Sequence, residues 1–242
     1  EDEITLKAHC ITTRKDLLCF NLELHKGEVL GIGGLSECGM HTVGKALFGY
    51  EKILDGKVTV GAKQTVVKNP ETAIANGIAY TSKDRDHESL GLAGSIRDNI
   101  ASTGYYFNRI FGPIISFGKE KKFVQNQIDT LELKCASQYH SVNTLSGGNK
   151  QKVVFGKWIG SEADVLILDC PTRGIDIGVK ASMYQLIYKM KKQGKSIILI
   201  SEELPELIGM SDRILIMKDG KIVHEAMRSE NPTEHDLINY MI

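Results

Sequence analysis

The sequence has few cysteines, a single tryptophan and no long apolar run. Its five cysteines are an odd number without a C-x-x-C pair, which favours reduced thiols over a disulfide framework or a zinc site. The apolar runs at 165–168 and 196–200 are far shorter than the roughly 18–20 residues that cross a bilayer. The chain also lacks a charged-then-apolar leader, so we expect any link to a membrane to pass through a partner protein.

The sequence also lacks a net charge. Thirty lysine and arginine residues balance thirty aspartate and glutamate residues. Because a neutral chain has no overall attraction to nucleic acid or anionic lipid, we expect no nucleic-acid partner. Its 242 residues, of which 42% are hydrophobic, are sufficient for one large domain, or for a domain with a subdomain, around a substantial core.

Alternation of apolar and polar residues predicts antiparallel strands in the first third of the chain. It runs over 4–8 and 17–24, and strand-like runs at 57–60 and 64–67 flank Gly61. A period of two with glycine at the turn is typical of paired strands with one buried face. We therefore expect an antiparallel β subdomain.

The remaining periodicity predicts an α/β fold. Short apolar runs at 27–34 and 77–82 indicate further strands. From residue 165 onward strands and helices alternate, including a helix near 204–210, which predicts a mainly parallel sheet wrapped by helices. Between about 88 and 160 the period is helical without strands, so we expect an inserted helical subdomain there.

The segment GIGGLSECGMHT is a candidate phosphate-binding loop. Such a loop has the form G-x-x-x-x-G-K-[ST], because its glycines let backbone N–H groups face phosphate at a helix start. Gly34 and Gly39 have this spacing, but Met40 takes the lysine position and His41 the magnesium-hydroxyl position, with Thr42 next to it. Taken alone, the segment also suits an ordinary glycine turn or a partial dinucleotide-binding turn.

The segment LSGGNKQK is a second candidate site. Ser146 precedes Gly147, Gly148 and a helical run, so the segment offers a hydroxyl and free N–H groups at a helix N-terminus. This arrangement can hold a phosphate, although a capped helix start is the simpler alternative. The whole octet followed by the strand DVLILD, which ends in Asp169, is a much more specific pattern.

Together, LSGGNKQK, VLILDCPTRGID and SEELPELIGMSDRILIMKDGKI resemble the ATP-binding-cassette (ABC) ATPase family. The resemblance covers nearly the whole chain and is nearest to ribose-, galactose- and xylose-type sugar importers that carry two cassettes in one chain. TRGID and SEELPE resemble the second, C-terminal cassette, so we expect a fragment of a longer protein. The implied fold is one nucleotide-binding domain over 1–242. Its P-loop NTPase core and antiparallel β subdomain would span about 1–87 and 161–242, and its helical subdomain about 88–160.

The resemblance assigns two groups of residues to ATP binding. The phosphate loop comprises Gly34, Leu35, Ser36, Glu37, Cys38, Gly39, Met40, His41 and Thr42. The signature, which in this family contacts ATP held by the partner cassette, comprises Leu145, Ser146, Gly147, Gly148, Asn149, Lys150 and Gln151. Asp169 takes the place of the magnesium-associated carboxylate and Asp176 that of the loop aspartate that crosses the dimer interface.

The resemblance also shows where this chain departs from the family pattern. Cys170 replaces the acid that polarises attacking water, Glu202 the switch histidine and Lys83 the loop glutamine or glutamate. A lost charge-assisted hydrogen bond at Met40 weakens ATP binding by roughly ten- to a hundredfold. A lost general base typically costs on the order of 10²–10⁴ in rate. We therefore expect weak binding of ATP and Mg²⁺ at the chain's own site and no intact catalytic residue.

Two side chains near this site are expected to be unreactive. The seven histidines show no metal-binding spacing, and His41 is predicted to be an exposed turn histidine. Cys170 has no histidine near it in sequence, so a buried, inert thiol is predicted there rather than a nucleophile.

The resemblance implies a cassette that couples ATP to monosaccharide import. Its expected partners are a first cassette, membrane permease subunits contacted through the helical subdomain and the 82–92 loop, and indirectly a substrate-binding protein. We expect a peripheral location on the cytoplasmic face of the membrane. The alternatives are a non-hydrolysing regulatory pseudo-ATPase and an importer of a nucleoside or signalling sugar. A cassette protein of DNA repair or translation is disfavoured by the neutral charge.

Overall fold

The structure is a computed structural model that describes residues 3–107, 115–161 and 163–242. The strands are β1 (Ile4–Thr12), β2 (Phe20–His25), β3 (Val29–Gly34), β4 (Asp55–Val60), β5 (Thr65–Val66), β6 (Ile78–Thr81), β7 (Val165–Asp169), β8 (Ser196–Ile200), β9 (Arg213–Lys218) and β10 (Lys221–Met227). The helices are α1 (Met40–Leu47), α2 (Pro70–Ala75), α3 (Ile96–Phe107), α4 (Phe117–Thr130), α5 (Gly147–Ile159), α6 (Ile177–Lys192), α7 (Leu204–Met210) and α8 (Glu234–Met241).

The contacts of the chain divide it into two compact units. The sheet unit consists of Glu1–Tyr80, Asp164–Pro171 and Met183–Ile242. The helical unit consists of Thr81–Ala163 and Thr172–Ser182. Within the helical segment predicted from the sequence, residues 108–114 lie outside the described residues.

The antiparallel strands form a four-stranded sheet in the order β2-β1-β4-β5. β1 pairs antiparallel with both β2 and β4, and Thr59 of β4 lies opposite Val66 of β5. The inward side chains of β1 and β2 alternate with more exposed ones, as the sequence pattern predicts.

This sheet corrects one prediction, because Cys10 and Cys19 form a disulfide. The antiparallel pairing places Ala8 opposite Leu22 and Ile11 opposite Phe20, so the two cysteines face each other across a shift in register. The prediction of five reduced thiols is therefore wrong for this pair. A spacing of eight residues between two cysteines matches no common cysteine motif. The proximity of Cys10 and Cys19 follows from the register of the paired strands. Cys38, Cys135 and Cys170 are free thiols.

The second sheet of the sheet unit has six strands in the order β10-β9-β3-β8-β7-β6. β3 pairs parallel with β8 and β9, and β8 pairs parallel with β7. Every residue of β7 and β8 is buried, as is typical of strands covered on both faces. Because parallel strands end at the same edge, the residues that follow β3, β7 and β8 are brought together.

The helical unit has its own apolar core. α3 packs against α4 and α5, and their helical periodicity directs one face of each inward. The buried core residues are Leu90, Ile96, Ile100, Ala101, Val124, Ile128, Leu133, Val142, Val153 and Val154. Among the residues that the structure describes, no helix is both long enough and apolar enough to span a bilayer.

Arg213 joins the two sheets of the sheet unit. It lies on β9, and its Nε donates to Glu28 Oε1 at 2.7 Å while Nη2 donates to the backbone oxygen of Glu23 on β2, also at 2.7 Å. The side chains of Arg213 and Glu28 are only 13% and 10% exposed. Removing the guanidinium would leave a largely buried carboxylate without its cation.

We therefore expect Arg213→Ala to lower the free energy of unfolding by about 3 kcal/mol. Lys7→Ala is the matched control, because it removes an ion pair to Glu23 whose side chains are 40% and 41% exposed. Such exposed pairs contribute less than about 1 kcal/mol. Urea unfolding followed by circular dichroism measures both changes, and equal losses in the two variants would contradict the role of Arg213.

Candidate functional site

A histidine and two carboxylates meet at the carboxyl edge of the six-stranded sheet. His41 lies in the first turn of α1, Asp169 ends β7, and Glu202 follows β8. His41 Nδ1 is 2.7 Å from Asp169 Oδ1, and His41 Nε2 is 3.3 Å from Glu202 Oε1. The His41 side chain is only 14% exposed, so the prediction of an exposed turn histidine is wrong. The imidazole is mostly buried and contacts both carboxylates.

Asp169 is held by groups of the chain itself. Its side chain is fully buried at the end of an apolar strand. Tyr80 Oη donates to Asp169 Oδ2 at 3.4 Å, and His41 contacts the other oxygen. Both oxygens of this buried carboxylate therefore have partners, as buried polar groups generally do.

Cys170 follows Asp169 and is confirmed as a buried thiol. Its backbone adopts the left-handed conformation with φ of 48°, uncommon for a residue other than glycine, and its N–H donates to Ile200 O at 2.8 Å. Burial, and secondarily the charge of Asp169, raises the pKa of the Cys170 thiol to about 12. The thiol is therefore neutral at pH 7 and cannot replace a carboxylate as a general base.

The loop between β3 and α1 has the close packing expected of its glycines. A Cβ on Gly34 would lie 2.6 Å from Met217 O, and Gly39 is left-handed with φ of 93°. Leu35, Ser36 and Glu37 are exposed, whereas Cys38, Gly39 and Met40 are buried. Thr42 Oγ1 donates to an Asp16 carboxylate oxygen.

Met40 gives this loop no cation, and Glu202 places a carboxylate against it. The Met40 side chain is fully buried and supplies no cation. Ser36 Oγ donates to Glu202 Oε1 at 2.9 Å, so the Glu202 carboxylate lies against the loop. The structure thus brings the glycine loop, Asp169, Cys170 and Glu202 together in the sheet unit.

The helical unit carries the second candidate site. Ser146 is exposed at the N-cap of α5, and Asn149 Nδ2 donates to its hydroxyl oxygen at 3.1 Å. Lys150 Nζ is 3.4 Å from Asp86 Oδ1, and Gln151 is buried. Leu145 and Lys83 are half-buried and belong to the same unit.

Neighbouring groups lie close to the two glycines at the start of α5. A Cβ on Gly147 would lie 3.0 Å from Arg85 Nη2, and a Cβ on Gly148 would lie 2.8 Å from Val179 Cγ2. Asp176 is exposed, and its Oδ1 accepts from the backbone N–H of Val179 at 3.0 Å. The predicted signature and Asp176 therefore share one part of the helical unit.

The sequence did not reveal the contacts of His41 and Tyr80 with Asp169, nor that of Ser36 with Glu202. His41 and Asp169 are 128 residues apart, and their separation matches no local motif. The available signal was the topology, because Asp169 ends β7, His41 lies in the helix after β3, and both strands end at the same edge of one sheet.

We expect Gly148→Ala to destabilise the chain through contact with Val179. Alanine is a better helix former than glycine by about 1 kcal/mol, but overpacking costs about 1–3 kcal/mol. The free energy of unfolding should therefore fall in the wild-type background, and should stay unchanged or rise in a Val179→Ala background. Urea unfolding of the wild type, the two single variants and the double variant measures the effect of Gly148→Ala in each background. An equal loss in both backgrounds would rule out the contact as its cause.

Two sugar-import proteins are similar to the chain along nearly its whole length. The ribose import ATP-binding protein RbsA of Halalkalibacterium halodurans is 38% identical over 239 residues, which are 98% of this chain and 47% of that protein. The galactose/methyl galactoside import ATP-binding protein MglA of Clostridium tetani is 37% identical over 242 residues, again 98% of this chain and 47% of that protein. The chain therefore spans about half the length of these curated relatives.

A solved structure and a family profile identify the fold and the family. The dimeric ATP-binding cassette MJ0796, in a post-hydrolysis state bound to ADP and phosphate, superposes with a TM-score of 0.82 at 20% identity, over 92% of this chain and 98% of that one. This likeness confirms the predicted P-loop, ABC-type α/β fold class. The profile of a family described as ABC transporter matches residues 17–173, which is more than half of the sequence. The chain belongs to the ABC transporter family.

Proposed function

We propose that this chain is the second cassette of a sugar importer's ATP-binding protein and acts mainly on ATP bound by the first cassette. The observation that carries the proposal is the contrast between two sites. Ser146 is exposed at the start of α5 within a complete signature. At the chain's own loop, by contrast, His41 connects the carboxylates of Asp169 and Glu202.

The residues at the chain's own loop do not suit ATP with Mg²⁺. Mg²⁺ selects oxygen ligands in near-octahedral geometry, whereas the magnesium-hydroxyl position holds the imidazole of His41, 2.7 Å from Asp169. Met40 is buried and offers phosphate no charge, while Glu202 adds a carboxylate beside the loop. The loss of the lysine alone weakens binding roughly ten- to a hundredfold. We assign no hydrolytic step to this pocket.

The signature has the properties needed to hold phosphate of a partner cassette. The first N–H groups of α5 have no partner within the helix, and the helix dipole places partial positive charge at that end. Ser146 adds an exposed hydroxyl, and Gly148 lies close to Val179, where a Cβ would be 2.8 Å from Cγ2. In the proposed pairing, this helix end would close over the phosphates of ATP on the first cassette, and Asp176 would lie at the interface.

The proposed solute is a monosaccharide. The relatives in Halalkalibacterium halodurans and Clostridium tetani are named for import of ribose and of galactose or methyl galactoside. The partners would be membrane permease subunits and, through them, a substrate-binding protein, with the cassette peripheral on the cytoplasmic face of the membrane. A nucleoside or signalling sugar is the alternative solute.

A non-hydrolysing regulatory cassette is the second candidate function. The contact of Glu202 with Ser36 favours it, because a carboxylate of the chain itself lies against the loop that would bind phosphate. In that case the state of this pocket, rather than the signature, would control the partner cassette. The two functions differ in what a change at Ser146 does.

We expect Ser146→Arg to abolish most ATP hydrolysis by the longer two-cassette protein. The bulky side chain would block the helix end that contacts phosphate, and loss of such a preorganised contact costs about 10²–10³ in rate. Steady-state phosphate release from the purified protein measures the effect. Gln125→Arg is the matched control, because it adds the same side chain at an exposed position on α4. Hydrolysis that survives Ser146→Arg would contradict the proposed action in trans and favour the regulatory cassette.

A further inference from the structure

We propose that His41, Asp169 and Cys170 bind a zinc-type divalent metal ion, with Glu202 orienting the imidazole of His41. The inference goes beyond the proposed function, although it rests on the part that denies Mg²⁺–ATP chemistry to this pocket. It concerns only the sheet unit, and the action of Ser146 on a partner's ATP does not depend on it.

The donor atoms are close enough to share one ion. The nitrogen of His41, the carboxylate oxygen of Asp169 and the sulfur of Cys170 all lie within 4.8 Å of one another. Zinc bonds of about 2.0–2.3 Å in a tetrahedral site place the ligand atoms about 3.3–3.8 Å apart. Side-chain shifts of roughly 1 Å would therefore complete the first three bonds.

The chemistry of these donors selects a particular class of ion. An imidazole, a thiolate and a carboxylate together are typical ligands of zinc and neighbouring transition metals, whereas Mg²⁺ and Ca²⁺ prefer oxygen alone. The ion would displace the proton of the Cys170 thiol into solvent, because metal coordination deprotonates a thiol. One thiolate and one carboxylate then balance the two positive charges of the ion.

The surrounding contacts resemble those that support metal ligands. A ligating histidine usually donates its other ring N–H to a carboxylate. If His41 binds the ion through Nδ1, beside Asp169, its Nε2 lies 3.3 Å from Glu202 Oε1. The hydroxyl of Ser36 donates to the same Glu202 oxygen at 2.9 Å and holds it in place. Tyr80 donates to the second oxygen of Asp169 and so fixes the carboxylate.

The site is also accessible from solvent. Asp169 and Cys170 are buried, while the side chain of Glu202 is 33% exposed next to His41. An ion can therefore enter beside Glu202, and a water molecule can complete the tetrahedron. Cys170 and His41 are two of the positions at which this chain departs from the ATP-binding pattern. The same substitutions that remove magnesium chemistry thus supply a nitrogen and a sulfur ligand.

Titration of the nucleotide-free chain with Co²⁺ tests the proposal, because Co²⁺ replaces zinc and is visible by absorption. We expect one equivalent to bind, with tetrahedral visible bands and a thiolate-to-cobalt charge-transfer band that Zn²⁺ abolishes by displacement. Cys170→Ser should remove the charge-transfer band. Cys38→Ser is the matched control, since Cys38 is also a buried free thiol but does not belong to the cluster.

Two further variants keep the test decisive if Cys170→Ser does not fold. His41→Ala should lower the affinity for zinc, measured by competition with a chromophoric chelator, by at least a hundredfold. Glu202→Gln should lower it by about 10–100-fold, because the loss of an orienting carboxylate typically has this effect. His87→Ala is the matched control, because His87 is an exposed histidine beside an aspartate, and it should leave the zinc affinity unchanged. Circular dichroism of the metal-free variants establishes folding.

Three results would overturn the proposal. These are the absence of stoichiometric Co²⁺ binding, a charge-transfer band that persists in Cys170→Ser, and zinc affinity that is equal in His41→Ala and His87→Ala. The metal titrations use the chain without nucleotide or a partner cassette. None of these results therefore changes what the Ser146→Arg experiment is expected to show. Failure of the metal site can therefore be told apart from failure of the proposed function.

Discussion

The imidazole of His41 connects two carboxylates at the edge of the parallel sheet, and the chemistry of the pocket depends on this arrangement. Nδ1 lies 2.7 Å from Asp169 and Nε2 lies 3.3 Å from Glu202. The sheet makes the contact possible, because β3, β8 and β7 are adjacent and end at the same edge. In our proposal, a pocket with two carboxylates, and with Met40 buried at the lysine position, suits a cation better than a polyanion such as triphosphate.

The helical unit carries the complete signature, whereas the loop of the sheet unit departs from the family pattern at Met40 and His41. Ser146 is exposed before α5, and a Cβ on Gly148 would lie 2.8 Å from Val179 Cγ2. In our proposal, the signature acts on the partner's ATP, whereas the chain's own pocket binds other ligands.

Much of the fold could be predicted from sequence, because its periodicities are strong. The antiparallel strands, the buried strands β7 and β8 and the helix at 204–210 all occur where expected. The replacements at Met40, Cys170 and Glu202 were also visible, but the contact between His41 and Asp169 was not, since it depends on strand order. The disulfide between Cys10 and Cys19 was hidden because it depends on the register between β1 and β2. The predicted domain boundaries and the roles of the site residues stay predictions.

The central claim is that this chain does not bind ATP with Mg²⁺ in the manner of an active cassette. Isothermal titration of the isolated chain with Mg²⁺–ATP tests it directly, in parallel with a variant in which Met40→Lys, His41→Thr, Cys170→Glu and Glu202→His restore the family pattern. We predict binding at least ten- to a hundredfold weaker in the natural chain than in the restored variant. Equal, micromolar affinity in both chains would contradict the account.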